Sequence, residues 1–146
     1  LVLFNYVEKH GTPLYELINN NVESSRKVFF VHGGTDVEDR EEVRNLTETE
    51  SNAIIVASYG TFSTGINIKR LHNIVFASPS KSRIRNLQSI GRVLRKGEGK
   101  DIATLYDIAD DIGGQNYTLK HLNERVNIYN NENFKYEVIR VNLRAN

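Results

Sequence analysis

The 146-residue sequence lacks cysteine altogether, which excludes a disulfide framework and a thiolate metal site. A chain without disulfides fits a cytoplasmic location. The histidines are scattered without metal-ligand spacing, so we expect no metal site among His10, His32, His72 and His121. Long hydrophobic runs are also missing. The run AIIVA at 53–57 is far too short to span a bilayer, and no secretory signal is visible, so no membrane partner is expected.

The sequence also has no large excess of one charge sign. Its 19 lysines and arginines are nearly balanced by 18 aspartates and glutamates, which gives a net charge of +1. A strong overall field for polyanions is therefore absent, and any nucleic-acid site must be a local patch. The length suits one domain with a real hydrophobic core. Because the chain starts at Leu1, inside an apolar run and without an initiator methionine, we expect residues 1–146 to be one domain of a larger protein.

Short apolar runs alternate with helical patterns along the chain. We expect strands at 1–6, 27–32, 53–58, 73–78, 102–108 and 135–143. We expect helices at about 13–20, 35–47, 82–96 and 118–131. The central apolar runs are continuous, as is typical of strands covered on both faces. The pattern predicts an α/β fold with a three-layer, doubly wound, mainly parallel sheet and helices on both faces.

Ligands of such sheets collect at the carboxyl ends of the strands, which singles out the loops 7–13, 32–36, 58–67 and 79–82. Thr35 and Glu38 have the spacing of a capping box for the second helix. An acidic cluster after a strand is assigned to a helix start or loop rather than to acid–base chemistry, because aspartate favours caps and turns: Asp107, Asp110 and Asp111.

The loop SYGTFSTGIN, residues 58–67, is rich in groups that can hold phosphate. Hydroxyl groups and backbone N–H groups bind phosphates without reading sequence. Gly60 and Gly65 allow a close approach of the backbone, and Asn67 can donate and accept hydrogen bonds. The alternative is a polar surface loop that binds nothing.

The segment LQSIGRVLRKGEGK, residues 87–100, has a polar edge on a predicted helix. Gln88, Arg92 and Arg95 are spaced i, i+4 and i+7, which places them along one face. The planar donor fork of arginine suits phosphate oxygens, and two arginines fit a triphosphate that develops charge during transfer. The alternative is a solvated basic helix paired with acidic residues elsewhere.

These motifs together resemble a known family. The string from Gln88 to Arg95 matches the Q-x-x-G-R-x-x-R motif of superfamily-two helicases and translocases. SYGTFSTGIN lies upstream across one intervening strand, as that family's preceding motif does, and LVLFNYVEKHG and VFFVHGG fit its earlier motifs. The chain therefore resembles the second, C-terminal RecA-like domain of such a motor over nearly its whole length.

The resemblance implies that ATP with Mg²⁺ binds in a cleft between this domain and an N-terminal RecA-like domain that carries the Mg²⁺ ligands. The chain has no Walker A motif, so we expect it to hydrolyse no ATP alone. By resemblance, Arg92 and Arg95 are catalytic, with Arg95 as the arginine finger. Gln88, Gly65 and Asn67 are then expected to bind ATP.

The resemblance also implies that the domain holds a nucleic-acid backbone. The contacts fall to Ser58, Tyr59, Gly60 and Thr61 after the third strand, to His32, Gly33 and Gly34 after the second, and to Lys81 after the fourth. Within the family the resemblance is to recombination helicases, which implies DNA as the partner, with branched or hybrid duplexes as substrates. Binding through phosphates should weaken as salt rises.

Two alternatives belong to other functional classes. A stand-alone nucleic-acid binding or annealing module without an ATPase role would explain the loop hydroxyls, but it leaves Gln88, Arg92 and Arg95 unexplained. A nucleotide-binding switch or metabolic enzyme on a Rossmann sheet is disfavoured, because NYVEKHGTP follows the first strand and contains no G-x-G-x-x-G loop.

Overall fold

The computed structural model describes residues 1–63, 71–77, 103–114 and 117–143. The strands in these ranges are β1 (Val2–Phe4), β2 (Val28–Val31), β3 (Ile54–Ser58), β4 (Asn73–Phe76) and β5 (Thr104–Asp107). A π-helical turn spans Val7–Gly11, and the α-helices are α1 (Thr12–Asn21), α2 (Val37–Thr49), α3 (Tyr59–Ser63) and α4 (Tyr117–Asn131).

The strands form one parallel sheet in the order β2-β3-β1-β4-β5. One row of paired residues crosses the whole sheet, through Val31, Ala57, Leu3, Phe76 and Asp107. Among the described residues, a helix follows each of β1, β2, β3 and β5, as is usual where strands pair in parallel. The predicted α/β fold with a parallel sheet is confirmed.

One face of the sheet carries the main core. Leu3, Val31 and Ala57 are fully buried there. Apolar side chains from three helices pack against this cluster, namely Val43 of α2, Phe62 of α3, and Val126, Ile128 and Tyr129 of α4. Because successive side chains of a strand point to opposite faces, these residues belong to one layer. Burial of this layer supplies the main driving force for folding.

The opposite face is covered by α1 and the π-helical turn. The ring of Phe30 lies 5.7 Å from that of Phe4 and 5.1 Å from that of Tyr15 on α1. Gly11 packs directly on the Phe4 ring. Helices therefore lie on both faces of the sheet, which confirms the three-layer prediction.

The predicted capping box of the second helix is wrong. Helix α2 begins at Val37, with Asp36 at the N-cap and no side-chain capping bond. Thr35 Oγ1 instead accepts a hydrogen bond from the His32 N–H at 3.0 Å. The Thr35 hydroxyl thus closes the turn after β2 and is not available to the helix.

The predicted strand at 135–143 is also wrong, because this segment forms no strand in the part of the chain that the structure describes. Strand-forming side chains need a neighbouring strand to pack against. The tail is held instead by a ring contact of Tyr136 with Tyr129 at 6.1 Å and by an Arg140–Asp111 ion pair at 3.8 Å. Several apolar side chains remain exposed: Val138, Ile139, Val141 and Leu143.

The loop predicted at 58–67 begins as a helix, since α3 starts directly after β3. The predicted helix at 82–96 lies outside the described residues. Among the helices that the structure describes, none is both long and apolar enough to cross a bilayer.

Candidate nucleic-acid interface

The ends of β2 and β3 bring two predicted contact segments together. Val31 pairs with Ala57, so the next residues, His32 and Ser58, lie side by side at the carboxyl edge of the sheet. Phe4 of β1 pairs with Ser58 on the other side of β3. The parallel sheet therefore places the segments that begin at His32 and Ser58 next to each other, although 26 positions separate them in sequence.

The turn after β2 is held by hydrogen bonds among its own residues, and its glycines are exposed to solvent. The Gly34 N–H donates to His32 Nδ1 at 3.1 Å, and the Thr35 N–H donates to the His32 carbonyl oxygen at 2.9 Å. The His32 ring also lies 5.1 Å from the Phe30 ring. Gly33 and Gly34 are exposed, and a β-carbon added at Gly33 would meet no described atom within 4 Å apart from its chain neighbours. The turn thus presents bare backbone to solvent.

The hydroxyl groups after β3 are engaged with each other. Ser58 Oγ and Thr61 Oγ1 lie 2.8 Å apart, and the Thr61 N–H donates to Ser58 Oγ at 3.3 Å. Both side chains are buried. The pair therefore caps the start of α3, which is how serine and threonine commonly serve a helix start. The predicted contacts of Ser58 and Thr61 with a nucleic-acid backbone stay predictions.

The two residues between this pair differ in their exposure. Tyr59 is only 3% exposed, and its ring packs 5.7 Å from that of Phe76, so its side chain belongs to the core. Gly60 is half-buried, and among the described residues a β-carbon added there would meet no atom within 4 Å beyond its chain neighbours and its own helix backbone. Gly60, at the start of α3, thus offers a second backbone surface at the carboxyl edge of the sheet.

The sequence interpretation missed a buried polar cluster at the end of β5. Asp107 accepts hydrogen bonds from Arg125 Nε at 2.7 Å, Arg125 Nη2 at 2.8 Å and the Tyr129 hydroxyl at 2.6 Å. Burial, followed by the Asp107 carboxylate, raises the pKa of Tyr129 far above its ordinary value. The i, i+4 spacing of Arg125 and Tyr129 is a signal that could have revealed their common face.

The other two aspartates of the acidic cluster serve the loop, as expected. The Asp110 carbonyl oxygen accepts a hydrogen bond from the Thr118 hydroxyl. Asp111 Oδ1 accepts one from the Gly113 N–H at 3.4 Å. Asp107 departs from that expectation, because it lies within strand β5 and pairs with α4.

The remaining predicted site residues lie outside the described residues: Gly65, Asn67, Lys81, Gln88, Arg92 and Arg95. Their assignments to ATP and nucleic acid stay predictions. Within the described ranges, no group of three histidine, aspartate or glutamate side chains could hold a metal ion.

Known helicases are similar to this chain in sequence. The chain is 43% identical to the ATP-dependent DNA helicase uvsW of Enterobacteria phage T4, across 97% of this chain and 30% of that protein. It is 32% identical to a putative ATP-dependent RNA helicase of Acanthamoeba polyphaga mimivirus, across 66% of this chain and 17% of that protein. The chain thus spans less than a third of the length of these relatives.

Three segments of the chain resemble this phage helicase, namely VASYGTFSTGI, IGRVLRK and the tail from His121 to Leu143. The match over 97% of the chain confirms the resemblance. No solved structure matches. The family model of the helicase conserved C-terminal domain matches residues 1–97, which include β1 to β4 and the Gln88–Arg95 motif. The chain therefore belongs to the helicase conserved C-terminal domain family.

Proposed function

We propose that this chain is the C-terminal RecA-like domain of an ATP-dependent DNA helicase. In this proposal the domain binds the nucleic-acid backbone at the carboxyl edge of its sheet and completes an ATP site formed with an N-terminal RecA-like domain. Family membership and the similarity to the ATP-dependent DNA helicase of phage T4 support the motor and its DNA substrate. Branched or hybrid duplexes are the proposed substrates.

The backbone interface is inferred from two glycine surfaces, at Gly33 and at Gly60, that lie beyond the ends of neighbouring strands. Gly33 follows β2 and Gly60 follows β3, and the strands that lead to them are neighbours in register. In the part of the chain that the structure describes, a β-carbon at either position would meet no atom within 4 Å apart from local backbone and chain neighbours. Phosphate oxygens can approach such backbone closely, and backbone N–H donors hold a strand without reading its sequence. Sequence-independent contact is what a motor that moves along DNA requires.

The ATP half of the proposal rests on the motif residues. Arg92 and Arg95 would reach the γ-phosphate and stabilise the charge that develops there during hydrolysis. Gln88, Gly65 and Asn67 would line the nucleotide, and Mg²⁺ would be held by the N-terminal domain. When bound, ATP would supply the terminal phosphoryl group that is transferred to water, and release of the phosphate would let the cleft open. Closure and opening then move one strand grip relative to the other, as in hinge-type domain motion.

The test is a DNA-stimulated ATPase and unwinding assay of the intact protein that contains this chain, on forked, Holliday-type and RNA–DNA substrates. Arg95→Ala should lower the turnover number by about 10³ or more and leave DNA affinity unchanged. Arg95→Lys keeps the charge but loses the planar fork, so it should recover little activity. An unchanged turnover number in Arg95→Ala would remove Arg95 from its role in hydrolysis. DNA binding by the intact protein without ATP hydrolysis or unwinding would favour a binding or annealing module.

A further inference from the structure

The end of the central strand β1 positions an aromatic side chain that neither the motifs nor the comparisons assign to a role. Tyr6 follows β1 directly and precedes the π-helical turn. Its carbonyl oxygen accepts hydrogen bonds from the N–H groups of His10 and Gly11, both at 2.9 Å. Two hydrogen bonds to one carbonyl fix the backbone of Tyr6, and π-helical turns are frequent at functional sites.

The turn that holds Tyr6 is anchored in the core. A β-carbon at Gly11 would lie 2.5 Å from carbon atoms of the Phe4 ring, and Phe4 is fully buried. The backbone of the turn therefore lies directly on a core side chain two residues before Tyr6. A residue held in this way keeps its position when a ligand arrives, which lowers the entropy lost on binding.

The Tyr6 ring itself faces solvent. It is 63% exposed, although the chain buries other aromatic rings such as Phe4 and Phe76. The His10 ring meets it at 5.3 Å with an interplanar angle of 70°, an edge contact that orients the ring and covers less of it than a parallel stack would. Scattered exposed aromatics are common, but this one is oriented and is held on a rigid turn.

The position of Tyr6 relates it to the glycine surfaces. β1 lies beside β3, and Phe4 pairs with Ser58, the residue from which the Gly60 segment begins. Tyr6 therefore follows the strand end next to the proposed backbone grip. A strand whose phosphates contact that grip carries its bases within reach of the same edge.

We propose that Tyr6, oriented by His10, is a stacking platform for one base of the bound nucleic-acid strand. The inference rests on the proposed nucleic-acid interface and adds a base contact to its backbone contacts. An aromatic ring stacks on any base, since every base has a π-face, so the contact tolerates all sequences. It resists slippage of the strand while leaving the motor free of sequence preference.

The test compares two single strands of equal length, one with bases and one built of abasic residues, by fluorescence anisotropy with the intact protein that contains this chain. The wild type should bind the base-bearing strand more tightly. Tyr6→Ala should weaken that binding by about 5- to 100-fold and leave affinity for the abasic strand unchanged. Tyr6→Phe keeps the ring and should bind as the wild type does. Tyr106→Ala, which removes a half-exposed tyrosine from within β5, is the matched control and should have no effect.

The outcomes separate the inference from the function on which it rests. If Tyr6→Ala binds the base-bearing strand as tightly as the wild type, the platform is refuted while the backbone interface stands. An equal loss on both strands also refutes stacking, because it would indicate a structural or phosphate role. If the wild type binds neither strand, the nucleic-acid interface itself fails.

Discussion

Asp107 and Arg125 form a bidentate ion pair that joins the edge strand β5 to helix α4, with distances of 2.7 and 2.8 Å between nitrogen and oxygen atoms. Arg125 is only 1% exposed, and its Nη1 atom has no hydrogen-bond partner among the residues that the structure describes. A buried guanidinium is tolerated only when a carboxylate compensates its charge. The pair therefore fixes the helix on the sheet.

Removal of one partner should be costly. Asp107→Asn leaves Arg125 buried without a counter-charge, and we expect the free energy of unfolding to fall by about 3–5 kcal/mol. The double variant Asp107→Leu/Arg125→Met replaces the pair with apolar groups and should recover most of that loss. Urea denaturation of the 146-residue chain measures both. A loss below about 1 kcal/mol for Asp107→Asn would show that the pair is not the anchor of α4.

Because of Tyr129, the free energy of unfolding should fall at alkaline pH. Burial and the Asp107 carboxylate raise the pKa of Tyr129 in the folded state. The folded chain therefore holds this proton more tightly than the unfolded chain, whose tyrosine has a pKa of about 10. The stabilisation is fully present below pH 10 and is lost as pH rises above it. Tyr129→Phe lacks the proton, so the stability of the wild type relative to this variant should fall above pH 10 in denaturation curves. A constant difference between pH 9 and 11 would contradict this.

Gly11 is required by the close packing of the π-helical turn on the core. Gly11→Ala places a β-carbon 2.5 Å from the Phe4 ring, so ring or backbone must move. We expect a loss of about 1–3 kcal/mol in the free energy of unfolding. Gly33→Ala, where the added carbon meets nothing, is the control and should be close to neutral. Equal stabilities of the two variants would refute the steric role of Gly11.

The Ser58–Thr61 pair should matter to stability more than to phosphate binding. Ser58→Ala removes the cap of α3 and leaves the buried Thr61 hydroxyl without this partner, at a cost of about 1–2 kcal/mol. Ser25→Ala, at an exposed position, should change little. Thermal unfolding separates the two variants. A neutral Ser58→Ala that instead weakens DNA binding would show that the hydroxyl faces the ligand.

The sheet could be predicted from the sequence because its strands are continuous apolar runs, such as VFF at 28–30 and IIVA at 54–57, separated by helical patterns. Because both segments follow predicted strands, the sequence also assigns the segments that begin at His32 and Ser58 to the carboxyl edge of the sheet. These features depend on local pattern and on the rules of parallel sheets.

Other features depend on partners that are distant in sequence or on competing bonds. The carboxylate of Asp107 finds its partners 18 and 22 residues later, on a helix whose orientation no local pattern gives. Thr35 had the spacing of a cap but bonds to His32 in the preceding turn. The tail at 135–143 has strand-forming residues, yet strand formation needs a neighbouring edge, which sequence alone does not supply.

The most direct test of the account adds a negative charge to the proposed backbone grip. Gly33→Glu and Gly60→Glu, each in open space, should lower the affinity for single-stranded DNA by about tenfold at low salt, because the carboxylate repels phosphate. The effect should shrink as salt screens the charges. Gly33→Gln and Gly60→Gln, of equal size, should bind more tightly than the glutamate variants. Ser51→Glu, in the turn before β3 at the other edge of the sheet, should bind as the wild type does. If the glutamate variants bind DNA as tightly as the wild type at low salt, the carboxyl edge of this sheet is not the nucleic-acid interface.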